Sequence, residues 1–381
     1  MRKKIKLYDL ILKTAKKGLH LQRRDGSFPK GHNGPWEDED TYVRTTAHWA
    51  LIMFKAHELT SNINTKFLES AMRACEYLLK DKNRPYGYTF YCRKDTTGKD
   101  MCNGLIGQVW AIEPLIFVGR SKDKNKYLKS AKEVIQQHDY SFDYHAWHYV
   151  EIDGNKQGIH TTLNQQIWFS SMALILGKTL DDEPLSIKGR DFFENVDSFI
   201  TYYNEKGLIK HTFSTKNIIT NLEVLKREIS ELIGKDELNL KRKKQTKLRS
   251  LGYLPFILYG FALLYDYTSE EEFWKNPELK KILKDSIDFV ISNYPYDYLR
   301  KVGYNWRYNP TGIEMAYVLQ ELNDLLELNC TQNEIDKWLN LQINGYYDFR
   351  SNLMIKNTSD PNILSSRFYE AIRLKNNDIE I

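Results

Sequence analysis

The sequence predicts an all-α protein, an (α/α)6 toroid of six helical hairpins with short β-turns at its mouth. Three observations carry this reading: a turn phrase that keeps returning, helical periodicity between its copies, and an alternation of amphipathic with nearly all-apolar helices. The turn phrases are DGSFP at 25–29, PYGYTFY at 85–91, FDYHAWH at 142–148, KGLIKHTF at 206–213, KVGYNWRYNP at 301–310 and NGYYDF at 344–349. Each sets Gly or Asp, which suit tight backbone geometry, beside alternating aromatics. The first four recur at a spacing of roughly 60 residues, as expected of a repeated supersecondary unit.

Apolar periodicity between the turns predicts two sets of helices. An outer, more charged set falls near 5–19, 64–81, 123–138, 186–203, 276–294 and 332–341. An inner set falls near 40–60, 103–119, 160–178, 251–268, 311–328 and 361–373, with segments such as LIGQVWAIEPLIFV and YLPFILYGFALLY apolar nearly all round. A helix apolar on every side is buried on every side. Residues 215–248 do not fit the repeat and are expected to be an insertion in a single domain spanning 1–381.

Composition narrows the function classes. The chain has 381 residues, 41% hydrophobic and 28% charged, enough to bury a large core. Its net charge of +5 comes from basic residues mostly interleaved with acidic ones. The dense run Lys241-Arg242-Lys243-Lys244 lacks accompanying aromatics for base stacking, so it reads as a solvated loop, and no nucleic-acid partner is expected. Cys75, Cys92, Cys102 and Cys330 form no CxxC pair, so neither a thiolate metal site nor a disulfide scaffold is expected, and no cofactor is implied. The basic N-terminus lacks the apolar core of a signal peptide, and no uninterrupted run of about 18 apolar residues marks a membrane span. A cytoplasmic location is the expectation. Aromatics reach 13%, with 25 Tyr and 8 Trp; their flat faces and polar edges suit sugar rings, although a large helical core uses them too.

If the inner helices run alike, their N-terminal ends meet at one mouth, and the sequence there is polar. GHNGPWEDEDTYVRTTAHW brings His32, Asn33, Trp36, Asp38, Asp40, Arg44 and His48 before and into the first inner helix. DMCNGLIGQVW brings Asn103 and Gln108 to the second. HAWHYVEIDGNKQGIHTTLNQQIW brings His145, Trp147, His148, Glu151, Asp153, His160, Asn164 and Gln165 to the third. YNWRYNPTGIEMAY brings Trp306, Arg307, Asn309 and Glu314 to the fifth. Polar groups inside apolar helices are costly unless satisfied or solvated, so this clustering predicts a wet cavity that takes a saccharide.

Glycosidic hydrolysis usually needs two carboxyl groups, about 5–5.5 Å apart for retention or about 6.5–9.5 Å for inversion. An acid–base pair is expected among Asp40, Asp153 and Glu314, with His48 or His160 as proton shuttle. The bland reading of Asp38 and Asp40 is helix capping. Trp36, Trp147 and Trp306 would stack on sugar faces, and Arg44 and Arg307 would clamp a carboxylate or sulfate. The remaining mouth residues would bind hydroxyls. A mouth this rich in His serves epimerase or lyase chemistry equally, because histidine exchanges protons near neutral pH.

The twelve-helix plan together with GHNGPW, RTTAHW, NGLIGQVWAIEPL, DGNKQGIHTTLNQQIWF and NPTGIE resembles the six-hairpin glycosidase superfamily, over most of the chain. Within it the likeness is to the glycoside-hydrolase-like proteins of glycan-assembly clusters, the AglQ-type family. The resemblance implies an (α/α)6 barrel and a glycan or uronic-acid substrate. That superfamily includes hydrolases, epimerases and lyases, so the reaction is not implied. Hydrolysis by carboxylates leads here, then epimerase or lyase chemistry, with a non-catalytic glycan-binding protein as the reading without chemistry. QRRDGSF at 22–28 and EDED at 37–40 also resemble motifs of triterpene cyclases, but a mouth full of His, Asn and Gln would quench a carbocation.

Overall fold

A computed structural model describes residues 4–32, 34, 37–61, 63, 65–95, 98–122, 124–213, 236–294 and 303–381. Asn33 and Trp36, both expected at the mouth, lie outside the described residues. Twelve α-helices are present among those described: α1 (Leu7–Leu21), α2 (Val43–Leu59), α3 (Thr65–Leu78), α4 (Gly104–Ser121), α5 (Asn125–Gln137) and α6 (Leu163–Leu180) form the first half. The second half holds α7 (Glu183–Asn195), α8 (Asp236–Thr268), α9 (Pro277–Asn293), α10 (Thr311–Leu326), α11 (Gln332–Tyr346) and α12 (Pro361–Ser366), the last continued by a 3-10 segment, Arg367–Arg373.

Even-numbered helices make the inner ring. α2 packs on α4, α4 on α6, α6 on α8, α8 on α10, and α10 on Arg367–Arg373, which returns to α2 and closes the circle. Odd-numbered helices lie outside, with α3, α5, α7, α9 and α11 each against the inner helix before it in sequence. Their one-sided apolar spacing explains this. α5 buries Tyr127, Leu128, Ala131, Val134 and Ile135, three or four residues apart, and leaves its Lys face in water. α4, by contrast, buries every residue from Gly104 to Ile116. The fold is therefore the predicted (α/α)6 barrel.

Local chemistry sets the helix ends. Thr331 and Glu334 form a capping box at α11, each side chain accepting the other's backbone N–H. Asp182, Asn276 and Asp360 cap α7, α9 and α12, each followed closely by a proline that suits the first helical turn. The two chain ends are joined by a small antiparallel pair, β1 (Lys4–Lys6) with β5 (Asp378–Glu380), in the register Ile5 to Ile379. A second antiparallel sheet in the order β2 (Tyr140–Ser141), β3 (Ala146–Val150), β4 (Lys156–Ile159) builds the third turn phrase.

Helix α8 departs from the sequence reading. Helix begins at Asp236 rather than near 251, so Lys241–Lys244 is helical and not a loop. The stretch has no Gly or Pro before Gly252 and is rich in Leu, Lys, Gln and Arg, so propensity builds a helix where apolar periodicity is silent. Residues 215–235 of the expected insertion lie outside the described residues. Lys243–Thr268 has the length and apolar character of a membrane-spanning segment, yet 78% of its most apolar window is buried within the barrel. It is the core helix between α6 and α10.

The motifs shared with cyclases are absorbed by packing. In QRRDGSF, Gln22 donates to the carbonyls of Gly26 and Ser70 at 3.0 and 2.9 Å, and Asp25 accepts from Ser27. Gly26 sits at φ 97°, where an added Cβ would lie 2.4 Å from the Arg73 carbonyl oxygen. Gly26→Ala is therefore expected to lower unfolding free energy by about 1–3 kcal/mol in a denaturant titration; an unchanged midpoint contradicts this account of the turn.

Candidate functional site

A cavity of about 340 Å³ opens where the inner helices begin. Arg44 enters it from the first turn of α2, and Asn103, Gly104, Ile106 and Trp110 from α4. His160 and Thr162 precede α6, whose first turn adds Asn164 and Gln165. His211, Arg249, Tyr253 and Phe256 come from the fourth hairpin, Tyr308 from the fifth and Arg367 from the sixth. Arg93, Lys99 and Asp100 complete the wall on the turn before α4. All six hairpins contribute, as the shared polarity of the inner N-termini predicts.

Arginines line this space, and the carboxylates paired with Arg44 and Arg367 are not among its lining residues. Arg44 is fully buried; its Nη1 donates to the Tyr308 hydroxyl at 2.6 Å and stands 3.6 Å from Asp40 Oδ2. Its plane lies 4.0 Å from the Trp110 ring, a cation–π contact. Asp40 is also buried, and neither carboxyl oxygen has a hydrogen-bond partner among the described residues. Burial pushes its pKa from the ordinary 3.8 up to about 7, against the pull of Arg44.

Arg367 is held in the same way. Its Nε donates to Glu370 at 2.8 Å, its Nη2 to Glu314 at 3.0 Å, and its Nη1 to Asn309. Burial, followed by the neighbouring Glu370 charge, holds Glu314 well above the usual carboxylate range. Glu370 is pushed up to about 7 by burial as well. His48 lies deeper still, stacked on Tyr369 at 4.2 Å with Nδ1 3.4 Å from the Ser366 hydroxyl. Burial and the two arginines hold it far below its ordinary pKa.

Two imidazoles do reach the cavity. His160 accepts the Thr162 N–H at 3.4 Å on Nδ1, which leaves its ring proton on Nε2. Gly104, at φ 57°, makes room for it, since a Cβ there would come 2.6 Å from His160 Nε2 and 2.4 Å from Gln165 Oε1. Burial lowers the His160 pKa to about 4, partly offset by the Asp100 charge. His211 stacks on Tyr253 at 4.8 Å, and its Nδ1 has no hydrogen-bond partner among the described residues. Burial, with Arg249 and His160 adding to it, lowers its pKa to about 3. A backbone bridge between Thr162 and Thr212 sets the two segments side by side.

Among the described carboxylates only Asp100 lines the cavity, and it is engaged. Its Oδ1 accepts the Gly104 N–H at 2.7 Å and its Oδ2 pairs with Arg93 at 3.1 Å. Asp100, Cys102 and Glu151 gather potential metal ligands within 4.8 Å of one another. Glu151, however, accepts the N–H groups of Met101, Cys102 and Ile152, so its oxygens are already committed to backbone.

The other expected residues fall outside the cavity. Asp153 is exposed in the β3–β4 turn, accepting from Asn155 at 3.0 and 2.6 Å; a DGN sequence is a turn signal before it is an acid. Trp147 and Trp306 are core residues, one donating to Ser170 and the other stacked on Trp338. Gln108 ties Phe90 and Cys102 backbone to α4, and Asn309 anchors the carbonyls of Gly252 and Tyr304. His145 pairs with Asp191, His148 with the Gln157 carbonyl, His32 with Asp360, and exposed Arg307 with the Asn357 carbonyl. Asp40, His48 and Glu314 sit behind the wall. Sequence reasoning missed Asp100, His211 and Arg367, although Asp100 opens the polar segment before α4 and His211 stands in the fourth turn phrase, both placed at the mouth.

For Asp40 the sign of the pH effect follows directly. A carboxyl whose pKa rises on folding favours the folded state at low pH, and that contribution is lost as pH climbs from 3.8 to about 7. Melting curves of Asp40→Asn are expected to improve relative to the parent across that window and to run parallel above it. A constant offset at every pH contradicts a raised Asp40 pKa.

No protein-family model matches the chain. It is 31% identical over 379 residues, 98% of each chain, to archaeal glycosylation protein Q of Haloferax volcanii. Among solved structures, a cellobiose 2-epimerase from Bacillus thermoamylovorans superimposes with a TM-score of 0.66 at 10% identity, covering 96% of this chain and 97% of the other. The GH76A alpha-1,6-mannanase of Salegentibacter sp. gives 0.54 at 12% over 96% and 98%, and an unsaturated glucuronyl hydrolase specific for heparin 0.54 at 11% over 96% of each. These likenesses establish the architecture of the six-hairpin glycosidases.

Proposed function

The chain belongs to the family of archaeal glycosylation protein Q, and from that premise we propose that it is a carbohydrate-active enzyme whose reaction is proton transfer at a sugar carbon, of the epimerase or lyase type. The relative's name supports a role in glycan assembly, and the shared barrel hosts saccharide enzymes of several reactions.

One observation carries the choice of reaction: two neutral imidazoles, His160 and His211, line a cavity whose sole described carboxylate is already engaged. Hydrolysis by a carboxylate pair would call on Asp40 or Glu314, and both stand behind arginines. A neutral imidazole removes a proton from carbon next to a carbonyl or carboxyl group. Return of a proton to the opposite face inverts that carbon, whereas departure of the β-oxygen substituent leaves a double bond. His211, with an unengaged Nδ1, is the base in this reading. His160, protonated on Nε2, is the acid. Asn164 and Gln165 would hold hydroxyl groups.

Saccharides incubated in deuterium oxide provide the test. Proton transfer predicts deuterium at the reacting carbon by proton NMR, and His160→Gln or His211→Gln should each slow it about 10²–10⁴-fold. New reducing ends without deuterium, insensitive to both substitutions, would establish hydrolysis instead. The acid limb of kcat/KM is expected near pH 3, where the base His211 gains its proton, and not near the ordinary histidine value of 6.5. A limb at 6.5 removes His211 from the role of base.

A further inference from the structure

A saccharide longer than the cavity must leave it across the rim, and the rim between the second and third hairpins is aromatic. The turn phrase at 85–91 exposes two tyrosines two residues apart, Tyr86 at 62% and Tyr88 at 41%. Large apolar rings grouped in water mark a contact surface more often than rings scattered singly. These two stand on a rigid support. Arg84 Nη2 donates to the carbonyls of Gly87 and Tyr88, the latter at 3.1 Å. The Gly87 N–H returns to the Arg84 carbonyl at 2.9 Å, and Gly87 takes the φ of 80° that the turn requires.

The β3–β4 turn completes the platform. Tyr88 lies against Gly154, where a Cβ would come 2.7 Å from two of its ring atoms, so a side chain at 154 would displace the ring. Asp153 and Asn155 flank that glycine, and both are exposed. Printed contacts run from here to the cavity wall. The Thr89 hydroxyl donates to the Val150 carbonyl at 3.3 Å, which joins the tyrosine turn to β3. Glu151, next along, accepts the Met101 and Cys102 N–H groups at 2.9 Å, beside the cavity residue Asp100. From the middle of β3, Tyr149 meets the cavity residue His160 edge to face at 5.1 Å.

We propose that Tyr86 and Tyr88 form an outer saccharide site, which holds a later sugar of a glycan chain while the end of that chain occupies the cavity. This rests on the proposed saccharide function and deepens it, from a free sugar to a chain. A tyrosine ring offers a flat apolar face to the C–H side of a sugar, and the carboxylate and amide of Asp153 and Asn155 stand next to it for hydroxyl groups. A preformed turn adds little ordering cost to that contact.

Calorimetric titration of the full chain with mannose and α-1,6-mannotetraose, and with glucose and cellotetraose, tests this. At least one tetraose should bind about tenfold or more tightly than its monosaccharide, an advantage on the scale of two ring contacts. Replacing both tyrosines, Tyr86→Ala with Tyr88→Ala, should remove that advantage while leaving monosaccharide affinity unchanged. Replacing both by Phe should keep it, because the ring face and not the hydroxyl makes the contact. If the double alanine variant fails to fold, Tyr86→Ala alone, at the more exposed ring, should remove part of the advantage. A tetraose that binds no tighter than its monosaccharide, or an advantage that survives the alanine substitutions, overturns the outer site and leaves the saccharide function standing. No binding of any probe overturns both.

Discussion

Burying Arg367 at the axis of the barrel is the constraint to which the rest of the interior answers. A guanidinium out of water must be matched by acceptors on nearly every nitrogen, and leaving one partner out of such a cluster costs about 3–5 kcal/mol. Here Asn309 and Glu314 come from the fifth hairpin, whereas Glu370 lies on the same turn as Arg367 itself. The cluster therefore fastens the sixth hairpin to the fifth, at the place where the circle of helices has to close. The same residue lines the cavity, so ring closure and site geometry are set by one side chain.

A second buried pair repeats the arrangement at the opposite end of the closure. Asp40 and Arg44 belong to the first hairpin, and Arg44 donates to Tyr308 of the fifth. Deeper along the axis, Arg373 pairs with Glu113 of α4 at 2.6 Å and donates to the Tyr259 hydroxyl of α8 at 3.0 Å. Charge is thus distributed along the centre of the barrel in pairs that cross between hairpins. Around them runs an aromatic band, with Trp168 stacked on Tyr259 and Tyr259 against Tyr317, across α6, α8 and α10. The high tyrosine content serves this polar core more than the cavity, because a tyrosine can pack on its ring and hydrogen-bond at its tip.

This division explains what was legible in the sequence. Helix count, the inner and outer classes and the polar mouth follow from apolar periodicity and from turn phrases, both of which are local. Which way a polar side chain points is not local. Glu314 lies in the first turn of α10, as a mouth residue should, yet its carboxyl meets Arg367, some fifty positions later in the chain. Trp147 and Trp306 stand in mouth phrases but fill gaps between helices, since the phrase alternates and one face of it is core. Helix α8 extends beyond its apolar pattern because its first turns are charged, so propensity rather than pattern defines them.

The same burial that hides the acids tunes the bases. Burial disfavours a positive charge on both His160 and His211, and Arg249 adds to it at His211, so the rings stay neutral far below the usual histidine range. Acids placed behind the arginines experience the opposite penalty, and Asp40 and Glu370 keep protons to about pH 7. Holding those protons leaves the arginines less completely neutralised than their ion pairs suggest. The wall then keeps a positive field across neutral pH.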